Sequence, residues 1–355
     1  MNKNLLLALA FFFIGEGIAI SDTYASDLTQ GGLVGQVKSV KTTEFTPVLS
    51  NKKWIPGEKT SVTVRVYDEK GNMVEETLKD SKEQTFFVTK IQPIEKGKFV
   101  EYYSYDENGN IESKESGRLG EQDEVLSMKV FDANDNLQSH TKSQFDKQGN
   151  ITKITSFDGD DLIATKIYGY DNAKLSFIKV DLEGGEDYVE FYNYDDKGRL
   201  VEVKSVSLSG TVLNQLLTVY DEAGNKVSTT FFPSLKESGE HQITKFDKAG
   251  RTIELSFYDA SNQMVQSEKF EYAPSGLISK AEAYDLINNT LINSYTINYD
   301  KFGREFNRVT YDLKGVPNAN IETIYKLDKN NNWIEKTEKN KNKIVSIVKR
   351  EVVYF

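Results

Sequence analysis

Cysteine is absent from this chain of 355 residues, and there are only two histidines. The lack of cysteine excludes disulfide bonds and thiolate metal sites. His140 and His241 lie about 100 residues apart, which argues against a catalytic triad or a multi-histidine metal centre. The sequence also has no phosphate-binding loop, dinucleotide glycine motif or nucleophile elbow. We therefore predict a protein that is not an enzyme and needs no cofactor. A carbohydrate-active enzyme is a distant alternative, because carboxylates are plentiful.

Basic charge is also in short supply. The chain has 44 lysines and arginines against 54 aspartates and glutamates, which gives a formal net charge of −10. A protein that binds nucleic acid normally presents a basic face. Nucleic acid is therefore not an expected partner.

The longest apolar run lies at the N-terminus. Lys3 precedes an apolar stretch at residues 5–15, which is too short to span a bilayer. Small residues stand at the positions before Ser26 that a signal peptidase reads. We predict a signal peptide at residues 1–25, export to the periplasm, outer surface or medium, and no transmembrane segment after cleavage.

One turn motif recurs along the rest of the chain: an aromatic residue followed by Asp-x-x-Gly. Aspartate at the first position and glycine at the fourth are typical of a type I turn that closes a hairpin. Between the turns apolar and polar residues alternate, as at Ile253, Leu255 and Phe257, which is the period of a β-strand. Strict copies begin at Asp68, Asp106, Asp146, Asp195, Asp221, Asp247, Asp300 and Asp312.

The spacing of these turns predicts the architecture. Two interleaved series of turns each step by about 26 residues, which gives one turn about every 13 residues. This predicts an all-β antiparallel meander of repeated hairpins with on the order of twenty strands. A sheet of that size has to curve. We expect a long, strongly curved or coiled open sheet, because nothing in the sequence marks the seam of a barrel.

After the predicted signal peptide at residues 1–25, the chain divides into three parts. Residues 26–60 form an N-terminal strand, loop and capping segment, and residues 61–335 form the hairpin repeats. Residues 336–355 form a C-terminal capping strand that pairs inside the array or closes its end. This strand is rich in β-branched residues and would promote aggregation if it were exposed.

The aromatic-Asp-x-x-Gly-Asn/Arg-aliphatic pattern resembles the RHS/YD-repeat family. The clearest matches are YDEKGNM at 67–73, YDENGNI at 105–111, FDKQGNI at 145–151, YDDKGRL at 194–200 and FDKAGRT at 246–252. The resemblance covers about residues 61–335 and extends to short secreted YD-repeat proteins of Bacteroidetes type. It implies a sheet that spirals into a hollow shell, in bacterial surface or secreted proteins that are often described as carbohydrate-binding.

Two kinds of candidate site stand out from the repeat. Two acidic turns place oxygen atoms at the close spacing of calcium loops, although neither has the full EF-hand pattern and ordinary acidic turns are the alternative. Their residues are Asp132, Asn134, Asp135, Asp158, Asp160 and Asp161. Several aromatic residues can stack on sugar rings or can pack in the sheet. These ligand-binding candidates are Trp54, Tyr102, Tyr103, Tyr192 and Trp333.

The predicted function is that of a secreted or cell-surface, non-catalytic binding module, with carbohydrate as the leading ligand class. The alternative is a structural or accessory protein of the cell envelope that covers or binds a protein partner.

Overall fold

The computed structural model describes residues 32–94, 97–120, 125–233 and 239–355, so the predicted signal peptide lies outside the described residues. All regular structure in these ranges is β, which confirms the predicted class. The strands are β1 (Val37–Ser50), β2 (Lys53–Tyr67), β3 (Met73–Lys79), β4 (Thr85–Ile94), β5 (Gly97–Tyr105), β6 (Ile111–Leu119), β7 (Val125–Asp132), β8 (Leu137–Phe145), β9 (Ile151–Asp158), β10 (Asp161–Asp171), β11 (Lys174–Leu182), β12 (Tyr188–Tyr194), β13 (Leu200–Ser207), β14 (Val212–Tyr220), β15 (Lys226–Phe232), β16 (His241–Phe246), β17 (Thr252–Tyr258), β18 (Met264–Tyr272), β19 (Ile278–Asp285), β20 (Thr290–Tyr299), β21 (Glu305–Tyr311), β22 (Pro317–Leu327), β23 (Trp333–Asn340) and β24 (Lys343–Tyr354).

The strands form a closed ring. Each strand pairs antiparallel with its neighbours in sequence, as the meander prediction requires, and β1 also pairs with β24. Val40 lies opposite Val352 in that closing ladder, and Thr43 lies opposite Lys349. The expected open, coiled sheet is therefore wrong, because the two end strands satisfy each other's backbone groups. Most of the predicted N-terminal and C-terminal segments belong to β1, β2 and β24.

The Asp-x-x-Gly motif forms the turns in the predicted way, as the turn at Asp247 illustrates. The Gly250 amide donates to the Asp247 carbonyl at 2.9 Å, and Gly250 has a φ of 76° that suits glycine. The Asp247 Oδ1 atom accepts the amides of Ala249 and Arg251 at 2.9 and 3.0 Å. Its Oδ2 atom accepts the Arg251 Nε–H at 2.8 Å. The carboxylate therefore accepts hydrogen bonds from N–H groups of its own loop.

Tyrosines tie several hairpins to their neighbours along one rim of the ring, here called the tyrosine rim. Six tyrosines near strand ends donate their hydroxyls to backbone carbonyls of the preceding hairpin, at 2.5–3.0 Å. Each of these contacts holds two neighbouring turns at a fixed spacing. The pairs are Tyr170 to Ile151, Tyr194 to Leu175, Tyr220 to Leu200, Tyr272 to Thr252, Tyr299 to Ile278 and Tyr325 to Glu305.

The wall of the ring has two distinct faces. Strand register places one set of side chains on a common face all the way round, and burial shifts the pKa values of several of them strongly. Side chains on the concave side of a closed wall are surrounded by more atoms than those on the convex side, and so they are more buried. We therefore assign this set to the inner face. It includes Glu115, Lys166, Tyr168, Tyr192 and Arg350.

The opposite, outer face carries charged pairs at mid-strand. Lys245 and Glu254 face each other across β16 and β17 with 3.1 Å between Nζ and Oε2. Lys280 Nζ lies 3.1 Å from Glu282 Oε2 on β19. Exposed pairs of this kind add little stability, but they keep the face hydrated.

The wall is a single layer that exposes both faces. Extensive contacts between strands in the described residues join neighbours around the ring. The inner face is therefore available for contact instead of being consumed by a hydrophobic core.

A buried asparagine closes the seam between β1 and β24 at the tyrosine rim. Asn332 is 1% exposed. Its Oδ1 atom accepts the Val34 amide at 2.7 Å, and its Nδ2 atom donates to the Val34 carbonyl and to the Tyr354 hydroxyl, each at 2.7 Å. Tyr354 in turn donates to Asp328. One amide side chain thus joins the segment before β1, the turn before β23 and the end of β24.

Replacing Asn332 with alanine should destabilise the closed ring. The substitution removes three part-buried hydrogen bonds, two to the Val34 backbone and one to the Tyr354 hydroxyl, which costs about 1–3 kcal/mol. Chemical denaturation measures the change, and Asn136→Ala is the matched control. Asn136 occupies the same position in the turn at Asp132, but it is exposed and bonds only within that turn. Equal effects of the two variants would contradict this account of the seam.

Acid should weaken the turns. Hydrogen bonds from the loop hold the pKa of several turn carboxylates below the ordinary value of 3.8. A lowered folded-state pKa gives stability that is fully present above about 3.8 and is lost as the pH falls through the lower folded-state values. The thermal midpoint should therefore drop between about pH 4 and pH 2. A midpoint that stays constant over that interval would contradict this. The residues are Asp106, Asp132, Asp146, Asp195, Asp221, Asp247 and Asp285.

Candidate functional site

A polar and aromatic patch on the inner face is the strongest candidate site. Lys166 and Tyr168 come from β10, and Tyr188, Glu190 and Tyr192 come from β12. The intervening strand β11 presents small apolar groups between them, because Val180 lies opposite Lys166 and Ile178 lies opposite Tyr168. We call these five polar and aromatic side chains the inner-wall patch.

Hydrogen bonds order the centre of the patch. The Tyr192 hydroxyl donates to Glu190 Oε2 at 3.1 Å. Ser205, opposite Glu190 on β13, donates to Asn214 Oδ1 at 3.0 Å and lies 3.5 Å from Glu190 Oε1. Glu190 therefore accepts from a phenol and faces a hydroxyl, which holds its carboxylate against the wall.

Burial sets the protonation states of the patch. It raises the pKa of Tyr168 to about 12, with the neighbouring Tyr170 and Glu190 adding to the shift. It also raises the pKa of Tyr192, which the negative charge of Glu190 raises further. Burial lowers the pKa of Lys166, and Glu190 opposes that shift. The phenols are therefore neutral donors at physiological pH, beside a carboxylate acceptor.

The structure separates the aromatic residues that the sequence singled out. Tyr102 lies on the inner face and Tyr103 on the outer face, because adjacent strand residues point to opposite sides. Tyr192 belongs to the inner-wall patch. Seven strand spacings lie between the strands of Tyr102 and Tyr192, about 34 Å along the wall at about 4.8 Å per strand. These tyrosines do not form one platform.

The two tryptophans lie near opposite rims of the wall. Trp54 stands on the β1–β2 hairpin and donates its indole N–H to the Asn342 carbonyl at 3.3 Å. Trp333 lies near the seam, where the Arg350 guanidinium lies 3.5 Å from the ring centroid. Tyr325 is the neighbouring ring, with 6.2 Å between the centroids.

The acidic turns use their oxygens locally. Asp132 Oδ1 accepts the amides of Asn134 and Asn136 at 2.8 and 2.9 Å, and Asp135 has a φ of 62° within that turn. The other three calcium candidates lie where β9 meets β10, with Asp158 opposite Asp161 and Asp160 in the turn. In the parts of the chain that are described, no group of three or more acidic or histidine side chains could hold a metal ion.

Both histidines stack on aromatic rings. His140 lies 4.4 Å from the ring of Phe157, and His241 lies 4.6 Å from the ring of Tyr258, measured between centroids. Both contacts join opposite residues on paired strands. Each histidine is therefore held by stacking on the neighbouring strand of the sheet.

Sequence reasoning found only one member of the inner-wall patch, Tyr192. The segment Tyr188–Tyr194 carries a signal for two more, because Tyr188, Glu190 and Tyr192 alternate and so share a face. Lys166 and Tyr168 join them only through the register of β10, β11 and β12.

No helix among the described residues is long and apolar enough to cross a membrane.

Comparison with known proteins gives only distant likenesses. No family model and no curated sequence matches the chain, so the RHS/YD likeness stays a resemblance. The structure of TcdB2-TccC3 without its hypervariable C-terminal region is 13% identical over 82% of this chain and 20% of that one, with a TM-score of 0.29. The chain thus spans about a fifth of that protein's length.

Porin-like proteins from two species of Bacteroides are similar over most of their length. The protein from Bacteroides uniformis is 8% identical over 90% of this chain and 98% of that one, with a TM-score of 0.26. The protein from Bacteroides vulgatus is 12% identical over 91% and 99%, with a TM-score of 0.23. Scores this low do not establish a shared fold.

Proposed function

We propose that this chain is an exported, non-catalytic binding module that holds carbohydrate against the inner wall of its ring. The observation that carries the proposal is the inner-wall patch, where two β-strands place half-buried aromatic rings, a carboxylate and an ammonium group on one face. Export is the expectation from the N-terminal segment.

Carbohydrate fits the chemistry of the patch. Sugar rings present an apolar face and a rim of hydroxyls. Neutral Tyr168 and Tyr192 offer both ring surface and O–H donors, while Glu190 accepts hydrogen bonds and Lys166 donates them. A mixture of apolar surface and a few placed polar groups is typical of small-molecule sites.

The arrangement of carboxylates favours binding over hydrolysis. A glycosidase needs two carboxyl groups that flank the scissile bond, about 5–10 Å apart. The inner-wall patch has Glu190 as its one carboxylate, and that group already accepts the Tyr192 hydroxyl. Release of sugar products from a polysaccharide, abolished by Glu190→Gln, would revive the enzymatic alternative.

Charged side chains on the outer face support the proposal that water contacts both faces of the ring. Transfer of the pairs Lys245–Glu254 and Lys280–Glu282 into lipid would carry a large desolvation cost. The outer face is thus suited to an aqueous compartment, such as the periplasm or the medium.

A protein partner is the second candidate function, and the β1–β2 hairpin favours it. β1 pairs with β24 only as far as Phe45, and β2 pairs with β3 from Val62, so the hairpin tip extends beyond the rim. The tip exposes Val48, Leu49 and Ile55, with Leu49 59% exposed. Recovery of one stoichiometric envelope protein, lost in Leu49→Asp, would favour this function.

Substitution in the inner-wall patch should weaken sugar binding without affecting the fold. A glycan array identifies a ligand, and calorimetry then compares Tyr192→Ala with Tyr103→Ala, a matched control on the outer face. Loss of one stacking ring should weaken binding about tenfold for Tyr192→Ala only. Absence of binding across a broad panel would contradict the proposal, as would an equal loss in Tyr103→Ala.

A further inference from the structure

Stacked arginines recur at the tyrosine rim, and Arg251 shows the usual arrangement. Its guanidinium carbon lies 4.4 Å from the centroid of the Tyr272 ring on the neighbouring hairpin. Its Nε and Nη2 atoms both contact Asp247 Oδ2, at 2.8 and 2.6 Å. The ring holds one face of the guanidinium, and the carboxylate takes the Nε–Nη2 edge. The same arrangement joins Arg199 to Asp195 and Tyr220, and Arg304 to Asp300 and Tyr325.

Arg350 is stacked in the same way, but no carboxylate among the described residues pairs with it. Its guanidinium carbon lies 3.5 Å from the centroid of the Trp333 ring. Its Nε and Nη1 atoms are buried and have no hydrogen-bond acceptor within the described part of the chain. Each bidentate edge of a guanidinium includes Nη2 together with one of these two nitrogens. Neither edge therefore has its full set of protein acceptors.

The acidic groups near the seam have other partners. Glu76 accepts from Arg65 at 2.7 Å on the inner face. Glu338 accepts from Lys336 at 2.9 Å. Asp328 accepts the Tyr354 hydroxyl.

The site is electropositive. Burial lowers the pKa of Arg350 to about 10, and the nearby positive charge of Arg65 adds to that shift. Arg350 therefore stays charged at neutral pH. An ionised donor that is buried without an acceptor is costly, and a ligand that brings an anionic acceptor relieves that cost.

We propose that Arg350 and Trp333 form a binding site for the carboxylate of a small ligand, which occupies the place that Asp247 occupies beside Arg251. A planar carboxylate matches the fork of a guanidinium. The site lies near the seam and shares no residue with the inner-wall patch, so it does not depend on the proposed sugar binding there.

The fluorescence of Trp333 reports ligand binding at this site directly. The chain has two tryptophans, so Trp54→Phe leaves Trp333 as the single indole. We would titrate this variant with glucuronate, with glucose as the neutral match, and with acetate and inorganic phosphate at an ionic strength held constant with chloride. Glucuronate should change the Trp333 fluorescence saturably, and glucose should not. A saturable response to acetate as well would assign recognition to the carboxylate alone.

Substitution of Arg350 separates binding from packing. In the Trp54→Phe background, Arg350→Lys should weaken glucuronate binding about tenfold or more, because an ammonium group lacks the bidentate edge. Arg350→Met should abolish the response while the thermal midpoint stays equal or rises, since it removes an unpaired buried charge. By contrast, Arg251→Met, which breaks a paired arginine, should lower the midpoint.

Three results would overturn the proposal. The first is the absence of a saturable response to glucuronate. The second is a response that persists in Arg350→Met. The third is a response to phosphate with none to either carboxylate.

Discussion

The carboxylate of the turn aspartate is the interaction on which the rest of this molecule depends. It accepts two backbone amides of its own loop and a side chain at the loop's end, as Asp247 does with Ala249 and Arg251. The hydrogen-bond donors of such a loop therefore find their acceptor within the loop and do not depend on packing against a core. A tyrosine hydroxyl then reaches the preceding hairpin, as Tyr272 does to the Thr252 carbonyl at 2.5 Å. Local turn chemistry and this one contact between neighbours are enough to propagate the sheet.

A wall built in this way has no free edge and little core. β1 and β24 pair with each other, so the ring lacks the exposed edge strands that invite aggregation. The strongly β-prone last strand is paired on both sides, which removes the hazard that its sequence suggests. Because packing does not consume the inner face, that face can carry polar groups such as Glu190 and Arg350.

Local features of the fold followed from the sequence, and closure did not. Asp-x-x-Gly spacing predicted the turns, and alternation predicted the strands, because both are set by residues a few positions apart. Closure pairs the first strand with the last and adds the contact between Asn332 and Val34, which are 298 residues apart in sequence. Asn332 ends a run of three asparagines, and Asn331 in that run has a φ of 67°, which asparagine tolerates in a turn. Nothing local distinguishes Asn332 from its neighbours.

The candidate sites likewise depend on features of the closed ring that the local sequence does not show. Tyr102 and Tyr103 look equivalent in sequence, but the pleat sends one to the inner face and the other to the outer face. Which face is inner depends on the closed ring, so the sequence alone did not identify Lys166, Tyr168 and Glu190 as members of the patch. Arg350 stands out only against Arg251 and its counterparts, since the missing acceptor is a property of three-dimensional contacts.

Closure of the ring is the central claim, and a cross-link between β1 and β24 tests it most directly. The chain has no cysteine of its own, and Lys41 lies opposite Glu351 across the seam. A Lys41→Cys, Glu351→Cys variant should form an intramolecular disulfide under mild oxidation, as should the hairpin control Lys245→Cys, Glu254→Cys. A control that cross-links while the seam pair stays reduced would contradict the closed ring.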